Sequence, residues 1–277
     1  MITVLIPNYN GRTLLEQFLP SVFASLDFSQ VDYEFIIVDD CSTDSSVEFL
    51  RYNYPEIKVI QNIVNLGFSR TCNKGIMVAK GDKLLLLNSD IELSPAYIKT
   101  CLDNFVGGET FAVTGRAIDD SAKPQTTGIL YKQGLFTIKK YPNRESNLTH
   151  FVSGANSLYD TKKLKQLGGF NPIFSPYYFE DDDLSYRALK KGWKSYFITE
   201  AICYHKGSAS IKSCAKKRKI KRIYFRNKLI FNRLHCKSST TTFNAQVLTT
   251  SILPKCCLGQ FWIWDSYKDS LTLTYKN

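Results

Sequence analysis

No run of about 18 apolar residues occurs in the 277-residue chain, so no membrane-spanning helix is expected. There are eight cysteines but no CxxC pair and no regular framework of spacings, the usage expected of reduced thiols in a cytosolic protein. The first residues, Met1-Ile2-Thr3-Val4-Leu5-Ile6-Pro7, carry no basic n-region and no cleavage site, so they are not expected to act as a signal peptide. Internal repeats and low-complexity tracts are missing too. The most informative absence is local: residues 206–236 contain eleven Lys/Arg and not one Asp or Glu. The whole chain has 36 basic and 25 acidic residues, so the other 25 basic residues balance the acids and the net charge of +11 belongs to that one segment. Hydrophobic content of 44% and charged content of 22% are ordinary for a globular protein with a full core.

The N-terminal half alternates strand and helix signals. Thr3–Ile6 is an apolar run closed by Pro7-Asn8-Tyr9-Asn10-Gly11, a strand and its loop. Leu14, Leu15, Phe18, Leu19 and Val22 have helical spacing over residues 13–25. Strands are predicted at 34–38, 57–60 and 83–87, and helices at 42–50 and 69–79. A further helix is expected from Ser94-Pro95, with proline in the first turn. This pitch predicts βαβ units and a Rossmann-like, mostly parallel α/β sheet covered on both faces. In such sheets ligands bind beyond the carboxyl ends of the strands, which brings Pro7-Asn8, Asp39-Asp40 and Asn88-Ser89-Asp90 to one edge. Residues 120–150 read as a loop-rich insertion with strand pieces near 128–131. A strand is expected at 153–159, a short helix at 161–167, a helix from the acidic run to Gly192, and a strand at 195–199 leading to Cys203-Tyr204-His205.

Several clusters admit two readings. Asp39 and Asp40 could accept from a nucleobase N–H or a ribose hydroxyl, or they could form a turn and cap a helix. Asp90 at the end of a buried strand is costly unless paired or bound to a metal. It could hold a hard divalent cation on a pyrophosphate or cap the next helix, and His205 could be a second ligand or structural. Four consecutive carboxylates, Glu180-Asp181-Asp182-Asp183, follow Tyr177-Tyr178-Phe179. Two carboxylates about 5 Å apart repel by roughly 3 kcal/mol at an effective dielectric near 20. A helix N-terminus favours one or two acids; four point to catalysis or metal binding, with the mutual repulsion keeping one member basic enough to serve as a general base. The basic segment interleaves Ile220, Ile223, Tyr224, Phe225, Leu229, Ile230, Phe231 and Leu234. It reads as an amphipathic helix for an anionic membrane surface, or one packed on the domain with its charge outward. No nucleic-acid motif accompanies it, and no nucleic-acid partner is expected.

Taken in order, the blocks Val4–Gly11, Val38–Asp44, Asn65-Leu66-Gly67-Phe68-Ser69-Arg70 with Asn73 and Gly75, Leu87–Asp90, Gly168-Gly169-Phe170 leading to Glu180–Leu184 and Arg187, and His205–Ser208 resemble family 2 glycosyltransferases of the GT-A fold. The likeness is especially to rhamnosyltransferase-like bacterial members and runs over roughly residues 2–235. It implies an inverting transfer from a UDP- or dTDP-linked nucleotide sugar to an acceptor hydroxyl on a saccharide or lipid-linked saccharide, in cell-surface polysaccharide or glycolipid synthesis. It implies that Pro7, Asn8, Asp39, Asp40, Asn65, Gly67, Arg70, Asn88 and Ser89 surround the donor. Asp90, with His205, would hold Mg2+ or Mn2+, Asn88 standing where a strict DxD motif has its first acid. Asp181 would be the catalytic base, with Glu180 supporting it or touching the acceptor, and Asp182 and Asp183 shaping the helix start. The implied organisation is a GT-A domain over residues 1–210, a nucleotide-binding half (1–115) and an acceptor half (116–210), then a basic amphipathic extension (211–277). The expected location is the cytoplasm, peripheral on the inner face of the cell membrane. A sugar nucleotidyltransferase is a weaker reading, because Asn8-Tyr9-Asn10-Gly11-Arg12 is a poor match to its glycine-rich basic loop. So is a non-catalytic membrane-associated scaffold, which would not need Asp90 and Asp181.

Overall fold

In the computed structural model, which describes residues 1–118, 126–132, 135–141, 147–205, 217–235 and 239–276, the apolar runs become strands of one sheet. β1 (Ile2–Asn8), β2 (Tyr33–Asp39), β3 (Lys58–Gln61) and β4 (Lys83–Leu87) are connected through α1 (Arg12–Ser29), α2 (Ser46–Asn53) and α3 (Phe68–Val78). β1 pairs in parallel with β2 and β4, and β2 with β3. Their side chains alternate between two cores. Val4, Ile6, Phe35, Ile37, Leu85 and Leu87 pack with Leu15, Leu19, Val22 and Leu26 of α1. Leu5, Ile36, Val38, Leu84 and Leu86 face Cys72 and Ile76 of α3. Burial on both faces is why these strands read as unbroken apolar runs rather than alternating ones. Pro7 lies beyond the last β1–β4 pair, Leu5 with Leu86, where a missing N–H leaves that ladder intact.

The chain continues through β5 (Ile91–Leu93), α4 (Tyr97–Asp103) and β6 (Thr110–Ile118). A hairpin of β7 (Thr126–Lys132) and β8 (Leu135–Tyr141) follows, then β9 (Leu148–Thr149), β10 (Asn156–Asp160), α5 (Thr161–Gln166), α6 (Glu180–Lys190) and β11 (Lys194–His205). The sheet order is β3-β2-β1-β4-β10-β6-β11-β5, with β9 against β11. The half containing β1 to β4 is parallel. The second half is mixed, because β10 runs antiparallel to both β4 and β6. That reversal places the start of β10 beside the end of β4. It is the geometry that later joins the two candidate sites.

Four helices close the chain: α7 (Lys217–His235), α8 (Thr240–Val247), α9 (Leu253–Cys257) and α10 (Trp262–Lys276). With the π-helical turn Leu248–Ile252 between α8 and α9 they form a core of Phe225, Leu229, Phe243, Val247, Ile252, Ile263 and Tyr267. Of the basic segment, residues 206–216 and 236 lie outside the described residues. Within α7 the apolar side does not face outward: Ile223, Phe225, Leu229, Ile230 and Phe231 are buried. Of the two readings of this segment, packing on the protein with the charge outward is the one seen in α7. No described helix is long and apolar enough to cross a membrane. The six cysteines in the described residues are free.

Candidate active site at the strand ends

Asp39 and Asp40 end β2 almost wholly buried. Asp39 Oδ2 accepts from Asn8 Nδ2 (2.9 Å) and Ser42 Oγ (2.5 Å), and its Oδ1 from the Ser42 amide (3.0 Å). Asp40 Oδ1 accepts from Asn62 Nδ2 (2.7 Å) and the Leu66 amide (2.8 Å), and its Oδ2 from the Gly67 amide (2.8 Å). Asp40 thus holds the loop that carries Asn65, Gly67 and Arg70 against the sheet edge. Gly67 adopts φ +77°, a conformation glycine enters without steric penalty. Asn65 and Arg70 are exposed on that loop and the following helical turn. Of the two roles weighed for this pair, turn and loop formation is directly visible. Asn62, which the sequence reading passed over, is 4% exposed and bridges Asp40 to Thr71.

Asp90 precedes β5, and α4 takes Ala96 as its N-cap, so Asp90 has no helix to cap. β5 pairs with β11 so that Ile91 lies opposite His205, which explains how residues 115 positions apart meet. His205 Nε2 is 3.3 Å from Asp90 Oδ1, yet that oxygen, on a residue 6% exposed, has no hydrogen-bond partner. Asn88 and Ser89 are half-buried beside it. A buried carboxylate oxygen left without a donor, next to an imidazole, fits a divalent cation. Among the described residues no group of three His, Cys, Asp or Glu could hold a metal, so the remaining ligands of such an ion would come from a bound diphosphate and water.

The acidic run starts α6, and the chain enters it under strain. Tyr178 (φ +75°) and Phe179 (φ +73°) are both in the left-handed region, costly for aromatic residues and maintained only by surrounding contacts. Those contacts come from α7. Asn227, fully buried, donates its amide to the carbonyls of Phe174 (2.6 Å), Tyr177 (3.0 Å) and Tyr178 (2.9 Å). Phe179 packs with Phe174, Ile230 and Phe231. The helix assigned to the extension therefore holds the loop that presents the acids. Nothing in the sequence near Asn227 announced this, apart from an uncharged polar residue on an otherwise apolar helix face.

The four acids divide sharply. Asp181 lies against Gly154: a Cβ there would sit 2.3 Å from Asp181 Oδ1. That oxygen and Glu180 Oε2 are buried without hydrogen-bond partners. Burial raises the Asp181 carboxyl above its ordinary range. Glu180 is raised by burial first and then by the charge of Asp181. Asp182 is pushed up to about 8 by burial, then by Asp181 and Asp183. Repulsion was expected to keep Asp181 basic; burial acts in the same direction on Asp181 and Glu180 alike. Asp183 is wholly different. It accepts from Arg187 Nε (2.7 Å) and pairs with His235 Nε2 of α7 (2.7 Å), while the Arg187 guanidinium also binds the carbonyls of Leu167 and Gly169.

The two groups of residues are linked through the backbone. The Asn88 amide donates to the Ala155 carbonyl (2.9 Å), and the preceding residue is the Gly154 that abuts Asp181. The Cys72 thiol of α3 is pushed up by burial first and then by the charges of Asp181, Glu180 and Asp40.

Comparison with known proteins agrees with this architecture. The profile of Glycosyl transferase family 2 matches residues 3–168. Poly(ribitol-phosphate) beta-glucosyltransferase of Bacillus spizizenii is 38% identical over 93 residues, 32% of this chain and 14% of that protein. Chondroitin synthase of Pasteurella multocida is 24% identical over 229 residues, 72% of this chain and 22% of that protein. The chain thus spans under a third of the length of these curated relatives. Residues 1–349 of Staphylococcus aureus TarS, solved with UDP-GlcNAc, superpose with a TM-score of 0.63 at 16% identity, covering 99% of this chain and 81% of that one. The mannosyltransferase PcManGT of Pyrobaculum calidifontis, solved with GDP-Man and Mn2+, gives 0.62 at 13% identity, covering 99% and 75%. At these identities the likeness establishes the fold, a GT-A glycosyltransferase fold. Because the family profile covers more than half of the chain, the protein belongs to glycosyl transferase family 2.

Proposed function

We propose that the protein is an inverting glycosyltransferase that moves a sugar from a nucleotide-sugar donor, UDP- or dTDP-linked, to an acceptor hydroxyl during cell-surface polysaccharide or glycolipid synthesis. One observation carries the reading. Two buried carboxylate oxygens have no hydrogen-bond partner, one on Asp90 at a strand end and one on Asp181 at the start of α6, and their elements are linked through Asn88, Ala155 and Gly154. One suits the leaving group and the other the nucleophile. Relatives named as glucosyl- and mannosyltransferases, and neighbours solved with UDP-GlcNAc or GDP-Man, support the donor class.

The donor lies across the ends of β1, β2 and β4. Pro7, Asn8, Asp39 and Asp40 form its nucleoside wall. The loop held by Asp40 brings Asn65, Gly67 and Arg70 over it, and Asn88 and Ser89 flank the diphosphate. A divalent cation, Mg2+ or Mn2+, held by Asp90 and His205 would supply neutralising charge for the departing nucleoside diphosphate. On the opposite side Asp181 takes the proton from the acceptor hydroxyl, which attacks the anomeric carbon from the face away from the leaving group. Its raised affinity for protons suits it to that work. Glu180, raised with it, supports the base or touches the acceptor, a saccharide or lipid-linked saccharide. The exposed charge of α7 supports a cytoplasmic, membrane-peripheral placement on the inner face of the cell membrane.

The test is Asp181→Asn. Transfer is expected to fall by about 10²–10⁴, while the thermal shift given by UDP or dTDP with Mn2+ persists. Near-normal turnover in this variant would falsify the assignment of the base. Asp90→Ala is expected to remove the Mn2+ dependence of the same thermal shift.

A further inference from the structure

With the apolar side of α7 inside the protein, the exposed charge collects at its first turn. Lys217, Arg218, Lys219 and Lys221 are exposed there. Lys217, Arg218 and Lys221 line a cavity of about 320 Å3 together with Gly259 and Gln260 from the turn between α9 and α10 and Trp262 at the start of α10. The same turn carries large apolar side chains in water. Leu258 is 75% exposed and Phe261 66%, with Leu253 and Trp264 exposed beside them. The two acids of α10 do not cancel the cations of the cleft, because Arg222 pairs with both, at 3.7 Å from Asp265 and 2.6 Å from Asp269.

A cationic cleft bordered by exposed leucine and aromatic side chains matches the layered chemistry of an anionic bilayer. Phosphate headgroups meet the cations, and apolar side chains enter at the acyl boundary. A soluble polyanion would satisfy the cations and leave Leu258 and Phe261 in water. We propose that the α9–α10 turn and the first turn of α7 together dock the protein on an anionic membrane surface, the cleft taking a lipid phosphate headgroup. The inference rests on the membrane-peripheral placement and names the surface responsible; it does not rest on the transfer chemistry.

The experiment is sedimentation of the full chain with vesicles of phosphatidylcholine alone or mixed with phosphatidylglycerol, at low salt. Wild type is expected to bind the mixed vesicles and not the neutral ones. Lys217→Ala with Lys221→Ala should weaken binding about 25-fold, near fivefold for each cation at an anionic surface. Leu258→Ser with Phe261→Ser should weaken it by at least about tenfold. Both pairs should keep the wild-type thermal shift with UDP, which reports an intact fold and donor edge. If wild type ignores the mixed vesicles, the surface and the membrane placement both fall. If it binds and both pairs bind equally well, the surface falls and the placement stands. Loss in one pair alone also overturns the proposal: a lysine-only effect marks a site for soluble polyanions, and an apolar-only effect marks a neutral surface.

Discussion

Asp183 and Asp181 stand two residues apart in one acidic run and do opposite things. Asp183 has its oxygens on Arg187 and His235, 1% exposed and fully partnered. Asp181 faces Gly154 with one oxygen that nothing donates to. The cause is helical geometry. At about 100° per residue, positions two apart lie roughly 200° around the axis, so one points to the cleft and the other to α7. The same contrast separates Asp40, whose oxygens accept from Asn62 and two loop amides, from Asp90, whose Oδ1 has no hydrogen-bond partner and lies 3.3 Å from His205 Nε2. Satisfied carboxylates hold loops and helices here; the unsatisfied ones carry the proposed ligand and reaction roles.

Substitution should separate the two kinds cleanly. Asp183→Ala removes one partner of a buried charge cluster and is expected to cost about 3 kcal/mol or more of stability, seen as a lower midpoint in denaturant. The Asp181→Asn change should lose rate and keep stability. If Asp183→Ala were as stable as wild type, the proposed division of labour within the run would be wrong.

A smaller perturbation reaches Asp181 without touching it. Gly154→Ala places a Cβ 2.3 Å from Asp181 Oδ1, so the carboxylate must move. Displacement of a reacting group by about 1 Å can cost on the order of 10² in rate. The expected outcome is a kcat reduced by about that factor, with KM for the donor near wild type. A fall in donor affinity instead would mean that Gly154 belongs to the donor wall.

The parallel half of the sheet was plain in the sequence because both of its faces are buried: the Lys83–Leu87 strand appears with the ends read from its leucines. β6 was not, since Thr110, Thr114 and Gly115 break the apolar run of a strand that is nonetheless interior. Candidate residues collected at one edge because parallel topology dictates where strand ends go. What an apolar helix face packs against is not encoded locally, so the sequence left α7 open between a membrane surface and the domain, while in the fold Asn227 binds the carbonyls of Tyr177 and Tyr178. The split within the acidic run had a visible signal, the i,i+4 pair Asp183 and Arg187. The partner that completes it, His235, lies 52 residues away.

The run should also show itself in pH dependence. Activity is expected to fall as pH drops through the raised Asp181–Glu180 range, an acid limb above that of an ordinary carboxylate. Stability should move the other way. Asp182 is held near 8 in the folded protein against an ordinary 3.8. Between those values the unfolded chain binds fewer protons than the folded one, so this group's contribution makes stability fall as pH rises. Asp182→Asn removes that contribution. Its melting temperature is expected to match wild type near pH 4 and exceed it increasingly toward pH 8. A difference that stays flat across this window would show that Asp182 ionises normally.

The weakest expected effect tests whether burial, rather than pairing as such, makes Asp183 matter. Arg222 and Asp269 form an ion pair as short as any in the acidic run, 2.6 Å, but each side chain is 42% exposed. Water screens such pairs, and they contribute about 0–1 kcal/mol. Arg222→Ala is therefore expected to shift the denaturant midpoint slightly and less still at high salt, where Asp183→Ala should keep most of its effect because Asp183 and His235 are 1% and 8% exposed. Equal losses in the two variants would place the stabilisation in the contacts themselves and remove burial as the deciding variable.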